Sequence, residues 1–497
     1  MTGALLRDNP VLMKHVRARL RLHRAIPWVA IVVILSALIT YSAHTSGGPE
    51  AAFGLMLALQ VFLLQLAGTA QVMASVSRAR ESGMLDFHRM SPQSAASVTL
   101  GFLLGAPILE YVLLACTAPF SLAVTIGYLG FSKWLVIFAD LLIAALLYHA
   151  AAVLAGLVLP KSTSSPVLVI GVVLVLLPFL RLLTFLRPLM YLTLIPTVTA
   201  ATSALSAGSP ATAPLARTLP VFLTSLLHQI PVLLVFLLAA SRKMQHEGTA
   251  PLSKLGALLA FTLVALLSLA DASVPPEVLE RGLFGEADSV SALPILCYTL
   301  LLVGMLLSAA VTPGANAFAR GIRQARRLGR ARPSRWSDRA PNWVAVGGLV
   351  AITLLAGAAG TRVIPAPVSL VRSGLWATAT TAAAVAFFGL AYQSFGLWFR
   401  KHSAVYLTLL LFLVWGVPLL LGAILAASNS SPSAEPPLIL AVSPLAGIAA
   451  AFAHGPWRDA LPAAKTAFIA SALLAACFAG LCWAAVRRAA KTAQARS

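Results

Sequence analysis

The sequence predicts an all-α polytopic membrane protein with about twelve transmembrane helices, arranged as two six-helix halves. Hydrophobic residues make up 59% of the 497 residues and charged residues only 10%, whereas soluble chains carry roughly 25% charged residues. Apolar runs of about 20 residues, long enough to cross a bilayer as a helix, recur along the whole chain. The polar stretches between them are too short to build a separate soluble core.

Twelve apolar runs can be delimited along the chain. The predicted spans are Ile26–Ser42, Ala51–Ala74, Val98–Ile126, Trp134–Leu159, Pro166–Leu186, Pro220–Ala240, Leu255–Ala270, Leu293–Val311, Trp343–Gly360, Gly374–Phe399, Ala404–Ala426 and Thr466–Val486. The fifth run is the weakest of the twelve, because Arg181 interrupts it.

The connections between the spans alternate in charge. Basic connections include residues 77–92, 320–339 and 487–491, whereas residues 271–288 are acidic and 428–456 are rich in Ser and Pro. The positive-inside rule therefore places both termini in the cytoplasm, and the chain is expected in the cell inner (plasma) membrane. The same basic loops account for the formal net charge of +21, so the charge does not indicate a nucleic-acid partner.

The N-terminal segment has the pattern of an amphipathic helix. Asn9 is a good N-cap and Pro10 fits the first helical position, and Leu12, Val16 and Leu20 recur every four residues. The basic residues Lys14, Arg17, Arg21 and Arg24 fall on another face. This pattern predicts a helix that lies on the anionic inner leaflet of the lipid bilayer; the simpler interpretation is a basic tail that orients the first span.

The segment of residues 77–92, SRARESGMLDFHRMSP, is too charged to lie inside a bilayer. Gly83 permits a turn, and large apolar residues such as Leu85 and Phe87 alternate with charges that can fix the register of a contact. The pattern favours a surface that docks against another protein, with the apolar residues in a groove of the partner. The alternative is an ordinary solvated loop.

Residues 79–92, ARESGMLDFHRMSP, resemble the pattern E-R-E-x-G-T-L-(D/E)-x-L-x-x-(S/T)-P of type-2 ABC exporter permeases. In that family the segment joins the second and third spans and forms the coupling helix. The matching residues are Arg80, Glu81, Gly83, Leu85, Asp86, Ser91 and Pro92. Ala79, Met84 and His88 depart from the pattern. The N-terminal helix resembles the family's amphipathic connecting helix.

The resemblance implies that the chain is the membrane-spanning permease subunit of an ATP-driven ABC exporter, without an ATPase site of its own. A separate ABC ATP-binding subunit would dock on the coupling segment, and that partner would bind ATP and magnesium. The transport path would lie between six-span units, either the two halves of this chain or two copies of it as a homodimer or with a second permease.

The two halves also resemble each other. Residues Gly156, Lys161 and Pro178 of the first half are matched at the same spacings by Gly396, Lys401 and Pro418 of the second. The sequence therefore predicts a first permease half over residues 1–250, with the amphipathic helix and coupling loop, and a diverged second half over 251–497. Chance similarity between Leu/Ala-rich helices is the alternative.

No catalytic or metal-binding motif stands out. There is no phosphate-binding loop, HExxH or GxSxG pattern, and the cysteines lie in apolar runs without metal-ligand spacing. Four polar groups lie in or near predicted spans: Glu110, Asp140, His149 and His228. Such groups can line a substrate path. Alternatively, Glu110 or Asp140 lies near the outer interface or is paired within the bundle, and the sequence leaves these alternatives open.

Two other classes of function fit parts of the sequence. A secondary transporter of the major facilitator type also has twelve spans in parallel halves, but the loop after the second span lacks its Gly-Asp-Arg-Gly-Arg-Arg signature. A membrane-embedded lipid-linked transferase would need acidic or histidine clusters at an interface, and the sequence has no such cluster. Nothing in the sequence indicates the transported substrate.

Overall fold

The structure is a computed structural model that describes residues 9–45, 48–159, 187–206, 215–246, 248–273, 292–330, 332–363, 368–399, 402–428, 439, 442–452 and 461–495. Within these ranges the regular structure is helical and contains no strand. The chain is thus an all-α polytopic membrane protein, as its composition predicts. The predicted fifth span, 166–186, lies outside the described residues.

The helices are numbered here in chain order. The first ten are α1 Pro10–Arg19, α2 Leu22–Thr45, α3 Gly48–Glu81, α4 Met84–Met90, α5 Ala95–Gly105, α6 Ile108–Tyr128, α7 Phe131–Val158, α8 Arg187–Met190, α9 Ile195–Ser206 and α10 Leu215–Gln245. The next five are α11 Lys254–Ser273, α12 Ala292–Val311, α13 Ala315–Arg327, α14 Trp343–Val363 and α15 Val368–Trp398. The last three are α16, which joins Ser403–Leu411 to Val417–Ser428, α17 Pro444–Phe452 and α18 Leu461–Ala495.

Eleven of these helices are long and apolar enough to cross a membrane, counted over the described residues only. They are α2, α3, α6, α7, α10, α11, α12, α14, α15, α16 and α18. Two of them contain a π-helical stretch, Phe62–Gly68 in α3 and Phe412–Gly416 in α16. π-turns loosen the backbone hydrogen-bond ladder locally and often mark functional positions.

Three predictions need correction, two of them about spans and one about a connection. The predicted second span ends at Ala74, but α3 continues to Glu81 and carries the first charged residues of the coupling segment. The predicted single span Val98–Ile126 is broken into α5 and α6 at Pro107, because proline has no backbone N–H to continue the ladder. Finally, α13 lies where the sequence predicted only a basic loop.

The described residues form two compact units, one holding residues 9–159 and 189–246 and the other 248–273 and 292–495, with the gaps given above. In the first unit α2 packs on α3 and α6, α3 on α7, and α10 on α7 and α9. In the second, α11 packs on α12 and α14, α12 on α15, and α18 on α15 and α17. When the spans are numbered from the start of each predicted half, spans with the same numbers pack against each other in both units. That the two halves are a repeat of one sequence stays a prediction.

The N-terminal helix α1 has the predicted cap. The Asn9 side chain accepts hydrogen bonds from the backbone N–H groups of Val11 and Leu12 at 3.0 and 3.2 Å. Its amide nitrogen also donates to the Ser97 carbonyl oxygen at 2.6 Å. Val11 is buried against α5, where a Cβ added at Gly101 would come 2.7 Å from it. Glycine therefore lets the two helices approach closely.

The packing of α1 corrects its predicted extent. The helix ends at Arg19, so Arg21 lies in the connection and Arg24 in the first turn of α2. Its apolar face contacts α5 instead of lying free for lipid. Lys14 and Arg17, like Arg21 and Arg24, are exposed, and their contact with a lipid surface stays a prediction.

Candidate functional site

The coupling segment folds into a turn followed by the short helix α4. Gly83 adopts a left-handed conformation with φ of 72°, which a side chain at this position would strain. Its carbonyl oxygen accepts hydrogen bonds from the N–H groups of Asp86 and Phe87, which start α4. The turn expected at Gly83 is therefore present, and it places α4 just beyond the charged end of α3.

The inward side of α4 is held by Leu85, which is only 2% exposed. Leu85 belongs to an apolar cluster formed by α3, α5, α7 and α10, whose members include Val76, Val98, Leu157 and Met244. The expectation that Leu85 enters a groove of a partner needs correction, because its side chain is already buried in its own chain. Burial of a leucine side chain contributes about 1.5–3 kcal/mol, so Leu85 anchors α4.

The outward side of α4 carries the other large apolar residues. Phe87 is 66% exposed and Met90 is 81% exposed. Asp86 and Pro92 are also exposed, as is Glu81 at the end of α3. These five residues are called the α4 face below. The face therefore combines two apolar side chains with two carboxylates.

Two arginines of the segment are used to hold it in place. Arg89 Nε donates a hydrogen bond to the Met244 carbonyl oxygen at 3.0 Å, and its guanidinium pairs with the Asp86 carboxylate. Arg80 Nη2 donates to the Leu159 carbonyl oxygen at 2.7 Å, just beyond the end of α7. A cation at a helix C-terminus is favourable because the terminal carbonyls lack helical partners.

The remaining coupling residues differ in their surroundings. Ser91 Oγ donates to the His88 carbonyl oxygen at 2.8 Å, which closes the end of α4. The Glu81 carboxylate forms no ion pair with any residue that the structure describes. Glu81 is exposed, and its contact with a partner and its role in coupling stay predictions.

The surface next to α4 is basic but holds two neutral histidines. Burial, together with the charges of Lys14, Arg19 and Arg78, lowers the pKa of His15 to about 4. The ring lies edge-on to Phe102, with the ring centroids 5.5 Å apart. Burial also lowers the pKa of His88, with a further contribution from Lys14. The positive charge here therefore comes from lysine and arginine at neutral pH.

Glu110 lies in the first turn of α6 and pairs with α1. Its Oε1 is 3.0 Å from Arg19 Nη2, and Arg19 Nη1 donates to the Ala106 carbonyl oxygen at 2.7 Å. This carbonyl lies at the break between α5 and α6. Sequence patterns do not indicate the pair, because the two residues are 91 positions apart and meet only after α1 packs on α5.

His149 lies in α7 and joins three helices. Its Nδ1 is 2.9 Å from the Tyr111 hydroxyl, and its Nε2 is 3.0 Å from the Leu64 carbonyl oxygen. Leu64 belongs to the π-helical stretch of α3, where the loosened ladder lets a side chain bond the backbone. A Cβ at Gly68 would come 2.7 Å from His149 Nε2, so glycine makes room for the ring.

Asp140 and His228 are held between α7, α10 and the segment before α9. Asp140 Oδ1 accepts a hydrogen bond from Gln229 Nε2 at 2.8 Å, and the same nitrogen is 3.1 Å from the Tyr191 carbonyl oxygen. His228 Nδ1 is 2.8 Å from the Thr224 carbonyl oxygen, and its ring stacks on Tyr191. All four polar groups found in the sequence therefore have partners inside the first unit.

The second unit contains a buried lysine that sequence reasoning missed. Lys254 Nζ donates to the carbonyl oxygens of Arg335, Ala340 and Pro341 at 2.7, 3.1 and 2.7 Å. These bonds hold the connection before α14 against the start of α11. Over the described residues, no group of His, Cys, Asp or Glu side chains could hold a metal ion.

No protein-family model, no curated protein and no solved structure matches the chain. The α4 face is an exposed apolar and acidic surface on a helix that is fixed to three spanning helices. Glu110, Asp140, His149 and His228 each have a hydrogen-bond or ionic partner inside the first unit.

Proposed function

We propose that the chain is the membrane-spanning permease subunit of an ATP-driven ABC exporter, and that a separate ATP-binding subunit docks on the α4 face. The observation that carries the proposal is the position of α4. This seven-residue helix is anchored inward by Leu85 and Arg89 and presents Phe87 and Met90 outward.

The anchoring of α4 supports transmission of a movement into the bundle. The Leu85 cluster contains residues of α3, α5, α7 and α10, and the Arg89 hydrogen bond reaches the end of α10. Packed protein interiors have low compressibility and transmit strain. Movement of α4 by a partner would therefore displace several spanning helices together.

The chemistry of the α4 face favours one kind of partner surface. Stable interfaces combine a buried apolar centre with a polar rim. Phe87 and Met90 would fill an apolar groove, and Glu81 would face a basic or amide-rich rim. In this proposal the ATP-binding subunit holds ATP and magnesium, and the permease has no ATPase site.

In this proposal the transport path lies between six-span units. Each unit packs its spans in the same order, as expected for a chain built from two similar halves. The path would form either between the two halves or between two copies of the chain. The proposal places both termini in the cytoplasm and the spans in the inner membrane.

A secondary transporter of the major facilitator type is the second candidate. The shared packing order of the two units also fits parallel halves of that kind. That function leaves the exposed apolar residues of α4 without a partner, however, and exposed apolar patches on soluble surfaces commonly mark interaction sites.

The test is affinity purification of the tagged chain in mild detergent, with identification of co-purifying subunits. We expect an ATP-binding subunit, and we expect ATP hydrolysis only when that subunit is present. Glu81→Lys should lower its recovery, because the substitution replaces an attraction by a repulsion. Glu50→Lys is the matched control, since Glu50 is exposed at the opposite end of α3.

A second variant tests the apolar part of the α4 face. Phe87→Ser combined with Met90→Ser should reach the membrane at normal abundance and lose the ATP-binding subunit. Trp336→Ser is its control, because Trp336 is 55% exposed in the second unit. Robust ATP hydrolysis by the isolated chain, or normal subunit recovery in both α4 variants, would contradict the proposal.

A further inference from the structure

Helix α13 is strongly amphipathic and packs against α18. Phe318, Ile322 and Ala325 are buried, a spacing of four and then three residues that places them on one face. Phe318 and Ile322 join an apolar cluster that includes Ala485 and Ala493 of α18. The arginines of α13 lie outside this buried set of residues, and Arg320 and Arg323 are exposed.

A cavity of about 600 Å³ lies between α13, the end of α15 and α18. Arg320 and Arg323 line it from α13, and Arg488 lines it from α18. Trp398 and Asn316 add an aromatic and an amide side chain. The rest of the wall is largely small or apolar, since it is formed mainly by alanine and leucine side chains.

A second cavity of about 520 Å³ adjoins the first, because Arg320 and Arg323 line both. Its other walls are Arg327, Gln324 and Arg339, and the Arg339 guanidinium donates a hydrogen bond to the Gln324 side chain. Five arginines thus surround two neighbouring cavities. Arginine presents a planar set of donors that matches phosphate oxygens in pairs.

The positive charge of these cavities is not balanced by the residues that line them. No carboxylate lines either cavity among the described residues, and Asp338, the neighbour of Arg339 in the chain, belongs to neither lining. The ion pairs found within the described ranges do not involve Arg320, Arg323 or Arg488. Like charges held close together repel one another, so an anion bound there would be stabilised.

Two tryptophans lie beside arginines at and near the cavity. Trp398, the last residue of α15, is 46% exposed, and Trp483, in α18, is 48% exposed. The Arg488 guanidinium lies 5.2 Å from the ring centroid of Trp398, and that of Arg487 lies 3.5 Å from Trp483. Tryptophan is enriched at the membrane–water interface, and an arginine over its face adds a cation–π contact.

We propose that the cavity between α13 and α18 binds the phosphate headgroup of an anionic phospholipid. Arg320, Arg323 and Arg488 bind the phosphate oxygens, and the acyl chains continue along the apolar surface of the spanning helices. A lipid is favoured over a soluble anion because the arginines and an interfacial tryptophan share one cavity wall. The inference concerns the chain alone and does not depend on the proposed partner subunit.

The test uses the full chain, purified in detergent and stripped of lipid. Phosphatidylglycerol, phosphatidylcholine and soluble glycerol phosphate are the three probes. Retained lipid is counted by native mass spectrometry, and thermal unfolding is followed as each probe is titrated. A ligand that binds only the folded state raises the unfolding temperature. We therefore expect the unfolding temperature to rise and then level off as phosphatidylglycerol is added, and to stay unchanged with the other two probes.

The first variant is Arg320→Gln combined with Arg323→Gln. Removal of two arginines should weaken binding of phosphatidylglycerol about thirtyfold, because each basic residue near the headgroups contributes about a fivefold factor in affinity. Its control is Arg332→Gln combined with Arg335→Gln, two exposed arginines of the same unit that line neither cavity. The control should bind phosphatidylglycerol as the unmodified chain does.

Arg488→Gln provides an independent variant on α18 and should weaken binding about fivefold. This variant tests the role of the cavity arginines if size-exclusion chromatography shows that the α13 variant aggregates. Equal binding of phosphatidylglycerol and phosphatidylcholine, or an equal loss in the control pair, would overturn the proposal. Equal stabilisation by glycerol phosphate would overturn it in favour of a soluble phosphate-bearing ligand.

Discussion

Arg89 Nε donates a hydrogen bond to the carbonyl oxygen of Met244 at 3.0 Å and so joins two residues that are 155 positions apart. The bond connects the seven-residue helix α4 to the last turn of α10. Met244 also belongs to the apolar cluster that buries Leu85. The short helix is therefore fixed to the spanning helices by a polar and an apolar contact at one place.

The two sides of α4 should respond differently to the same substitution. Leu85→Ala should destabilise the fold by about 2–5 kcal/mol, because it leaves a cavity in the packed cluster. Phe87→Ala should change stability by no more than about 0.5 kcal/mol, because its side chain is exposed. Thermal unfolding in detergent distinguishes the two, and equal losses of stability would mean that Leu85 is not the anchor.

The ion pair between Arg19 and Glu110 should be visible in a double-mutant cycle. Arg19→Gln leaves the buried Glu110 carboxylate without its partner and should lower the free energy of unfolding by about 3 kcal/mol. This value is at the lower end for buried pairs, because the Arg19 side chain is 20% exposed. Arg19→Gln combined with Glu110→Gln should recover most of the loss. Arg17→Gln, at an exposed position of α1, is the control and should be neutral. Additive effects of the two single variants would argue against the pair.

Stability should depend on pH through His15. Its pKa is about 4 in the folded protein and 6.5 without the fold, so folding favours the neutral ring. The stability due to His15 is therefore fully present above pH 6.5 and is lost as the pH falls toward 4. Thermal unfolding between pH 7 and pH 4 measures this loss.

A substitution isolates the contribution of His15 from that of the carboxylates that titrate in the same range. His15→Phe keeps an aromatic ring beside Phe102 and should reduce the loss of stability on acidification. His23→Phe, at an exposed position in the first turn of α2, serves as the comparison. The same pH profile for His15→Phe and the unmodified chain would refute the prediction.

Two glycines of α3 should respond oppositely to alanine. Gly68→Ala would bring a Cβ to 2.7 Å from His149 Nε2, and overpacking of this kind costs about 1–3 kcal/mol. Gly54→Ala meets no atom within 4 Å and should stabilise the helix by about 0.5–1 kcal/mol. Thermal unfolding of both variants provides the measurement, and a shift in the same direction for both would contradict the expectation.

The orientation in the membrane can be tested by thiol labelling of intact cells. In a background without the native cysteines, single cysteines at Ser82 and Ser334 should resist an impermeant reagent, because both lie in basic connections. Cysteines at Thr45 and Ser132, exposed at the other ends of spanning helices, should react. Labelling of Ser334 from outside would overturn the proposed topology.

Much of the fold follows from local chemistry. A bilayer requires about 20 apolar residues for each helical span, so composition and run length predict an all-α polytopic protein. Asn9 satisfies the N–H groups at the start of its own helix, and Gly83 adopts a turn that other residues resist. The amphipathic helix α13 went unpredicted, although Phe318, Ile322 and Ala325 show its period.

The direction of each side chain around α4 depends on helices that are distant in the chain. Leu85 and Phe87 are both large, apolar and two residues apart, and only the packing of α5, α7 and α10 buries one and exposes the other. The ion pair of Arg19 with Glu110 likewise requires α1 to lie on α5. Sequence patterns describe which residues share a helix face, whereas the identity of the neighbour on that face follows from the packing of the whole unit.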